Sequence, residues 1–164
     1  MSHKITLGIG NPLGGDDAVG SFVVRRVNEK RQGKAGAERP GASRQQDITA
    51  IDAGTAPENY TSIIRRNRPE QLILVDAADM GLSPGSIRLL SPEKIATLSF
   101  STHSMPLSAF VSYVSEFCGQ VYIIGIQPER TETGDRLSGP VRKSGERVVD
   151  LILNDRLDEI SALG

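Results

Sequence analysis

The chain has 164 residues, 38% of them hydrophobic, a formal net charge of −1 and a single cysteine. That length suits one compact domain whose core needs no disulfide or metal staple. Its near-neutral charge offers little to nucleic acid or an anionic membrane, no apolar run nears the roughly 20 residues of a membrane span, and a lone Cys118 excludes an internal disulfide or a thiolate zinc cluster. Tryptophan is absent and aromatics are scarce, which disfavours a stacking platform for single-stranded nucleic acid. The N-terminal stretch MSHKITLGIGNPLGG reads as a short polar lead into a strand, with His3 in its frayed start, rather than as a signal peptide. A cytoplasmic protein is expected.

In chain order, KITLGIG (Lys4 to Gly10) reads as a buried strand ending in a turn. From Asp16, DDAVGSFVVRRVNEK places Val19, Phe22, Val23 and Val27 at helical spacing, with acids in the first turn where the helix dipole favours them. Arg31 to Gln46 has no periodicity and is expected to form a flexible, exposed loop inserted in a single domain spanning 1–164, with an ordered insertion at a partner surface as the alternative. DITAIDAG (Asp47 to Gly54) is a second strand, followed by Thr55 as a cap and a helix over APENYTSIIRRNR. QLILVDAAD (Gln71 to Asp79) is apolar until Asp76, as in a mid-sheet strand covered on both faces. A shorter strand, Ser86 to Leu90, follows too soon for a helical crossover and is expected to be antiparallel. A helix from Pro106 to Phe117, a strand and turn from Gln120 to Glu129 and a polar loop come next. The C-terminal helix turns Val141, Val148, Val149, Ile152 and Leu153 inward. The sum is an α/β fold: a three-layer αβα sandwich around a mostly parallel twisted sheet of about five strands, one of them antiparallel.

Open parallel sheets collect ligands outside the carboxyl ends of their strands. There the sequence gathers Asp16 and Asp17 past the first strand, Asp52 on the second, Asp76 on the third, His103 in a polar loop, and Gln127 and Glu129 after the last strand. Each has a plain structural alternative. Asp16 or Asp17 suits a first helical turn, Asp52 an Asx turn or a cap, His103 an exposed surface position. Glu129 and Asp135 suit solvated loops, Met105 and Pro106 suit loop packing, and Cys118 suits a small apolar filler. Asp76 is the least comfortable, because a lone carboxylate after LILV is costly unless paired or bound. Two carboxylates and an imidazole on one edge suit a divalent transition metal with open coordination positions. Acids placed close together could instead share a proton for acid–base hydrolysis.

Five blocks in register, GIGNPLGGDDAVG, IDAGTAPEN, LILVDAADMGLSPGSIRLL, STHSMPLS and IIGIQPE, resemble the hydrogenase maturation endopeptidases, in particular the type that processes the large subunit of formate-linked hydrogenase 3. The likeness runs from Lys4 to about Val149, with a longer Arg31 to Gln46 segment and a looser match after Glu129. It implies an enzyme that clips a C-terminal extension from a [NiFe] hydrogenase large-subunit precursor after nickel insertion. Nickel is then presented by the substrate, and no tightly bound organic cofactor is expected. The metal-contacting positions fall on Asp17, Asp76 and His103, and the catalytic acids on Asp17, Asp52 and Asp76. Asp52 or a metal ligand would serve as general base, and both aspartic-type and metal-assisted hydrolysis stay open. Charge and the lack of a long apolar run point to no nucleic-acid or membrane partner, and the size of the chain suggests a monomer when free. On this reading the glycine loop comes close to a bulky partner and holds a cation rather than a phosphate.

Two rival readings remain. A nucleotide-binding α/β domain fits poorly: the glycine spacing is wrong, Asp52 lies well beyond the roughly 20 residues of the dinucleotide pattern, and Asp16 and Asp17 stand where pyrophosphate needs bare helix N–H groups. A nickel chaperone or docking factor would use the same acidic edge without cutting.

Overall fold

A computed structural model describes residues 3–35, 47–100, 105–129 and 136–164. Strand β1 (His3–Ile9) leads through a 3-10 turn, Gly15–Ala18, into helix α1 (Val19–Ala35) and then strand β2 (Asp47–Gly54). A second 3-10 turn, Pro57–Tyr60, opens helix α2 (Thr61–Asn67), which returns to strand β3 (Gln71–Asp79). Strand β4 (Ile87–Leu89), helix α3 (Pro92–Ile95), strand β5 (Ser99–Phe100), helix α4 (Leu107–Val114), strand β6 (Gln120–Ile126) and helix α5 (Gly139–Leu153) follow. The sheet order is β2-β1-β3-β6-β4, with β5 paired to β3 off this path. The first four of that order are mutually parallel, whereas β4 runs antiparallel to β6.

Side-chain alternation sorts the core into two layers. Ile73, Val75, Ala77, Ile124 and Ile126 face α1 and α5, which bring Val19, Val23, Val27, Val148, Val149 and Ile152. Ile5, Leu7, Ile9, Leu72, Leu74 and Ala78 face the opposite side, where α2 and α4 bring Ile64, Phe110 and Val114. Strand β3 is the middle of the sheet and is buried from Leu72 to Ala78, which explains its unbroken apolar run. At the opposite end from the acids, Lys4 is buried and its Nζ lies 2.5 Å from Asp155 Oδ1, so β1 is tied to the chain just past α5. No helix among the described residues is long and apolar enough to cross a membrane.

The expected architecture is present, with local corrections. The antiparallel strand at Ile87–Leu89 pairs with β6, not with the strand that precedes it; the antiparallel neighbour of β3 is the two-residue β5, at Ala78 and Asp79. Thr55 is not the cap: the turn that opens α2 starts after Ala56, and no side chain caps it. The helix after β1 runs on to Ala35, so the first five residues of the expected loop are helical, and the rest of that loop lies outside the described residues. The acids at 16 and 17 occupy a 3-10 turn rather than the first turn of α1. Leu153 is only partly buried, and Leu151 takes a fully buried place instead.

Candidate active site

The connection from β1 leaves through α1 toward β2, and the one from β3 leaves toward β6 on the other side. The two chains therefore part between β1 and β3, and such a switch point opens a crevice beyond the strand ends. Asp17 follows β1 and Asp76 is on β3, so the topology places both acids at the crevice.

Close helix-to-sheet packing fixes that geometry. A side chain on Gly20 would stand 2.6 Å from the Ile9 amide nitrogen and from the Val75 carbonyl oxygen, and one on Gly8 would meet the Gly20 carbonyl at 2.1 Å. The start of α1 thus rests directly on the backbones of β1 and β3. Gly10 closes the arrangement with φ of 135°, a region that L side chains rarely adopt, and its N–H donates to the Gly54 carbonyl at 2.8 Å. The point where a Gly10 Cβ would stand is 2.1 Å from the Asp17 carbonyl oxygen and 3.6 Å from Asp76 Oδ1. Gly10 therefore lets the Asp17 main chain and the Asp76 carboxylate flank one small space. The Asp17 carboxylate folds back over Gly14, with Oδ2 3.2 Å from where a Cβ there would lie. The loop is shaped by an Asn11 Asx turn, in which Leu13 N–H donates to Asn11 Oδ1 at 3.0 Å, and by Asp17 N–H donating to the Gly14 carbonyl at 3.1 Å.

Asp76 is 1% exposed and aligns with Gly125 of β6. Its neighbours Val75 and Ala77 point to the α1 and α5 layer, so Asp76 points to the α2 and α4 side. Asp17 is partly buried. At Gly10 it is the Asp17 main-chain carbonyl and the Asp76 carboxylate that approach one another, while the Asp17 carboxylate lies over Gly14.

Asp16 does different work. It is fully buried and accepts from the Ser138 N–H at 2.7 Å, the Ser138 hydroxyl at 2.8 Å and the Glu129 N–H at 2.8 Å. One carboxylate thus fastens the turn before α1 to both ends of the segment joining β6 to α5. Two adjacent aspartates gave no sign of which would turn inward, and Ser138 carried no signal at all.

Asp52 stands apart from the Asp17 and Asp76 pair. Ile48 and Ala50 pack against the α1 side, and Asp52 shares their face. Its carboxylate is exposed, accepts from the Ser21 hydroxyl of α1, and accepts from the Gly54 N–H at 3.1 Å, which is the Asx turn weighed from sequence. Gln127 is also structural here: its Oε1 accepts from Met80 N–H at 2.6 Å and Leu82 N–H at 3.2 Å, pinning the turn that follows β3. Cys118 is half-buried on the α2 and α4 side, and burial pushes its thiol up to about 11. His103 lies outside the described residues, as do Arg130 to Asp135. Among the described residues no group of three or more His, Cys, Asp or Glu side chains is placed to hold a metal ion.

Residues 36–155 match the family model HycI, hydrogenase maturation protease. The hydrogenase 3 maturation protease of Escherichia coli K12 is 35% identical over 145 residues, covering 88% of this chain and 85% of that protein. The solution structure of the endopeptidase HycI from Escherichia coli aligns with a TM-score of 0.78 at 32% identity, covering all of this chain and 97% of the other. A crystal structure of a [NiFe] hydrogenase maturation protease, HycI from Thermococcus kodakarensis KOD1, aligns with a TM-score of 0.76 at 29% identity, covering 94% and 92% of the two chains.

Proposed function

Because this chain belongs to the hydrogenase maturation proteases, we propose that it removes the C-terminal extension of a [NiFe] hydrogenase large-subunit precursor by recognising nickel already inserted there. Its reaction is hydrolysis of a peptide bond in a protein substrate. The observation that carries the nickel reading is the meeting of the Asp17 loop and the buried Asp76 carboxylate at Gly10, in the switch-point crevice.

In this reading Asp17 and Asp76 offer oxygen donors to the substrate's nickel, and His103 adds an imidazole nitrogen. His103 comes three residues after Phe100, which pairs with Ala78 just beyond Asp76, and the chain is again packed on that side at Met105. Two or three protein ligands of this kind leave room for the ligands that the precursor itself supplies. A precursor without nickel lacks the bridge, so its scissile bond is not held in place. With nickel bridged, the binding energy positions the peptide carbonyl beside an acid or a polarised water. Asp52 or one of the nickel-facing carboxylates takes the proton of the attacking water as general base.

The test is a processing assay with purified hydrogenase large-subunit precursor, loaded with nickel or left without it, read by intact mass. Loss of a C-terminal fragment from the loaded precursor alone is expected. Equal cleavage of both forms would remove nickel from recognition, and binding without any loss of mass would make the protein a docking factor.

A further inference from the structure

The loop that carries Asp17 borders a second feature that the nickel reading does not use. A groove of about 900 Å³ runs from Pro12 and Ala18 along the exposed side of α1 to the start of α5. Four arginines line it, Arg25, Arg26, Arg136 and Arg142, against two glutamates, Glu29 and Glu146. Both glutamates are engaged by one of the four: Arg26 Nη1 is 2.7 Å from Glu29 and its Nε 2.9 Å from Glu146. Arg142 lies over the Phe22 ring, its Cζ 5.6 Å from the centroid, and takes no carboxylate among the described residues. Arg25 and Arg136 are exposed and make no ion pair among the described residues. A chain of formal charge −1 therefore gathers a local excess of guanidinium charge beside its candidate catalytic loop.

We propose that this groove seats an acidic stretch of the protein substrate, held by Arg25, Arg136 and Arg142. Guanidinium forks suit carboxylates and can engage them bidentately. The walls are made by two packed helices, and Arg142 is already steadied on Phe22, so little ordering is needed at that residue when the segment binds. The groove also adjoins the cleft that holds Asp52: Ser21, Arg25 and Glu29 line both. A segment seated there would run along the α1 side of the sheet and reach the crevice past Pro12. Identifying its owner as the hydrogenase precursor rests on the function proposed above; the preference for acidic peptide does not.

A dye-labelled octapeptide of alternating Glu and Gly, titrated with the full chain and followed by fluorescence anisotropy, tests this without nickel or hydrolysis. Binding is expected for the Glu peptide and not for its Gln or Lys counterparts, and it weakens as salt screens the groove. Arg25→Glu combined with Arg136→Glu, both at exposed positions, should weaken it at least about tenfold. Circular dichroism checks that the variant remains folded. Equal binding of the Glu and Gln peptides, wild-type affinity in the variant, or tighter capture of an equally long oligothymidylate would overturn the proposal. Processing of nickel-loaded precursor by the wild-type chain is scored separately, so each reading can fail on its own.

Discussion

Asp52 and Asp76 lie at the same end of the sheet but point to opposite faces, Asp52 toward Ser21 on α1 and Asp76 toward the α2 and α4 layer. The two acids should therefore behave differently when neutralised. Asp76→Asn is expected to lower processing of nickel-loaded precursor by at least about a hundredfold and to weaken capture of that precursor. Asp52→Asn should leave capture intact and slow cleavage. Single-turnover cleavage with a parallel pull-down separates the outcomes, and unchanged cleavage in Asp52→Asn would take that residue out of the chemistry.

Neighbouring aspartates give a second contrast. Asp16→Ala strips partners from two backbone N–H groups and one hydroxyl, and hydrogen bonds to a charged group are worth roughly 1.5–3 kcal/mol each, less what relaxation recovers. A loss of about 3 kcal/mol in urea unfolding is expected. Ser138→Ala should cost about 1 kcal/mol. In Asp17→Ala the loss of stability should be smaller than in Asp16→Ala while processing falls. A destabilisation of Asp17→Ala as large as that of Asp16→Ala would contradict this division of labour.

Gly10→Ala introduces a Cβ at a backbone φ of 135° and 2.1 Å from the Asp17 carbonyl oxygen. Strain of this kind costs about 1–3 kcal/mol even before the clash is relieved. The loop must shift, and it carries Asp17. Thermal unfolding should show a lower midpoint, and processing should fall further than the stability loss explains. Normal activity at a temperature where the variant is fully folded would show that the close approach at Gly10 is not needed.

Cys118 gives a pH prediction. Burial raises its pKa from 9.0 in the reference thiol to about 11. Above pH 9 the unfolded chain gives up this proton while the folded chain keeps it. Stability from this group is therefore intact below pH 9 and declines as pH rises toward about 11, by a modest amount because the thiol is only half-buried. Cys118→Ala should flatten the urea-midpoint profile over that window. In the native protein the thiol should react with a disulfide reagent at neutral pH more slowly than a free cysteine; reaction at the free rate would show that the site is open.

How much of this could be read in the chain alone depends on the range of the interactions involved. The order of elements, the central place of Gln71–Asp79 and the αβα layering follow from apolar periodicity and turn residues, which act over a few neighbours. The carboxyl-edge rule gathers Asp16, Asp17, Asp52 and Asp76 at one end of the sheet without distinguishing among them. What the periodicity left open was decided by contacts between distant segments. Packing of Val75 and Ala77 against α1 and α5 sent Asp76 to the opposite face, while Ile48 and Ala50 put Asp52 on the α1 face, where Ser21 bonds it. Asp16 turned inward because Glu129 and Ser138, more than a hundred residues away, supply its donors. Ile87–Leu89 pairs with β6 rather than with its sequence neighbour β3, which β1 and β6 flank on either side. Spacing along a chain fixes which side chains can share a face; only closing the sheet and packing helices on it fixes which faces meet.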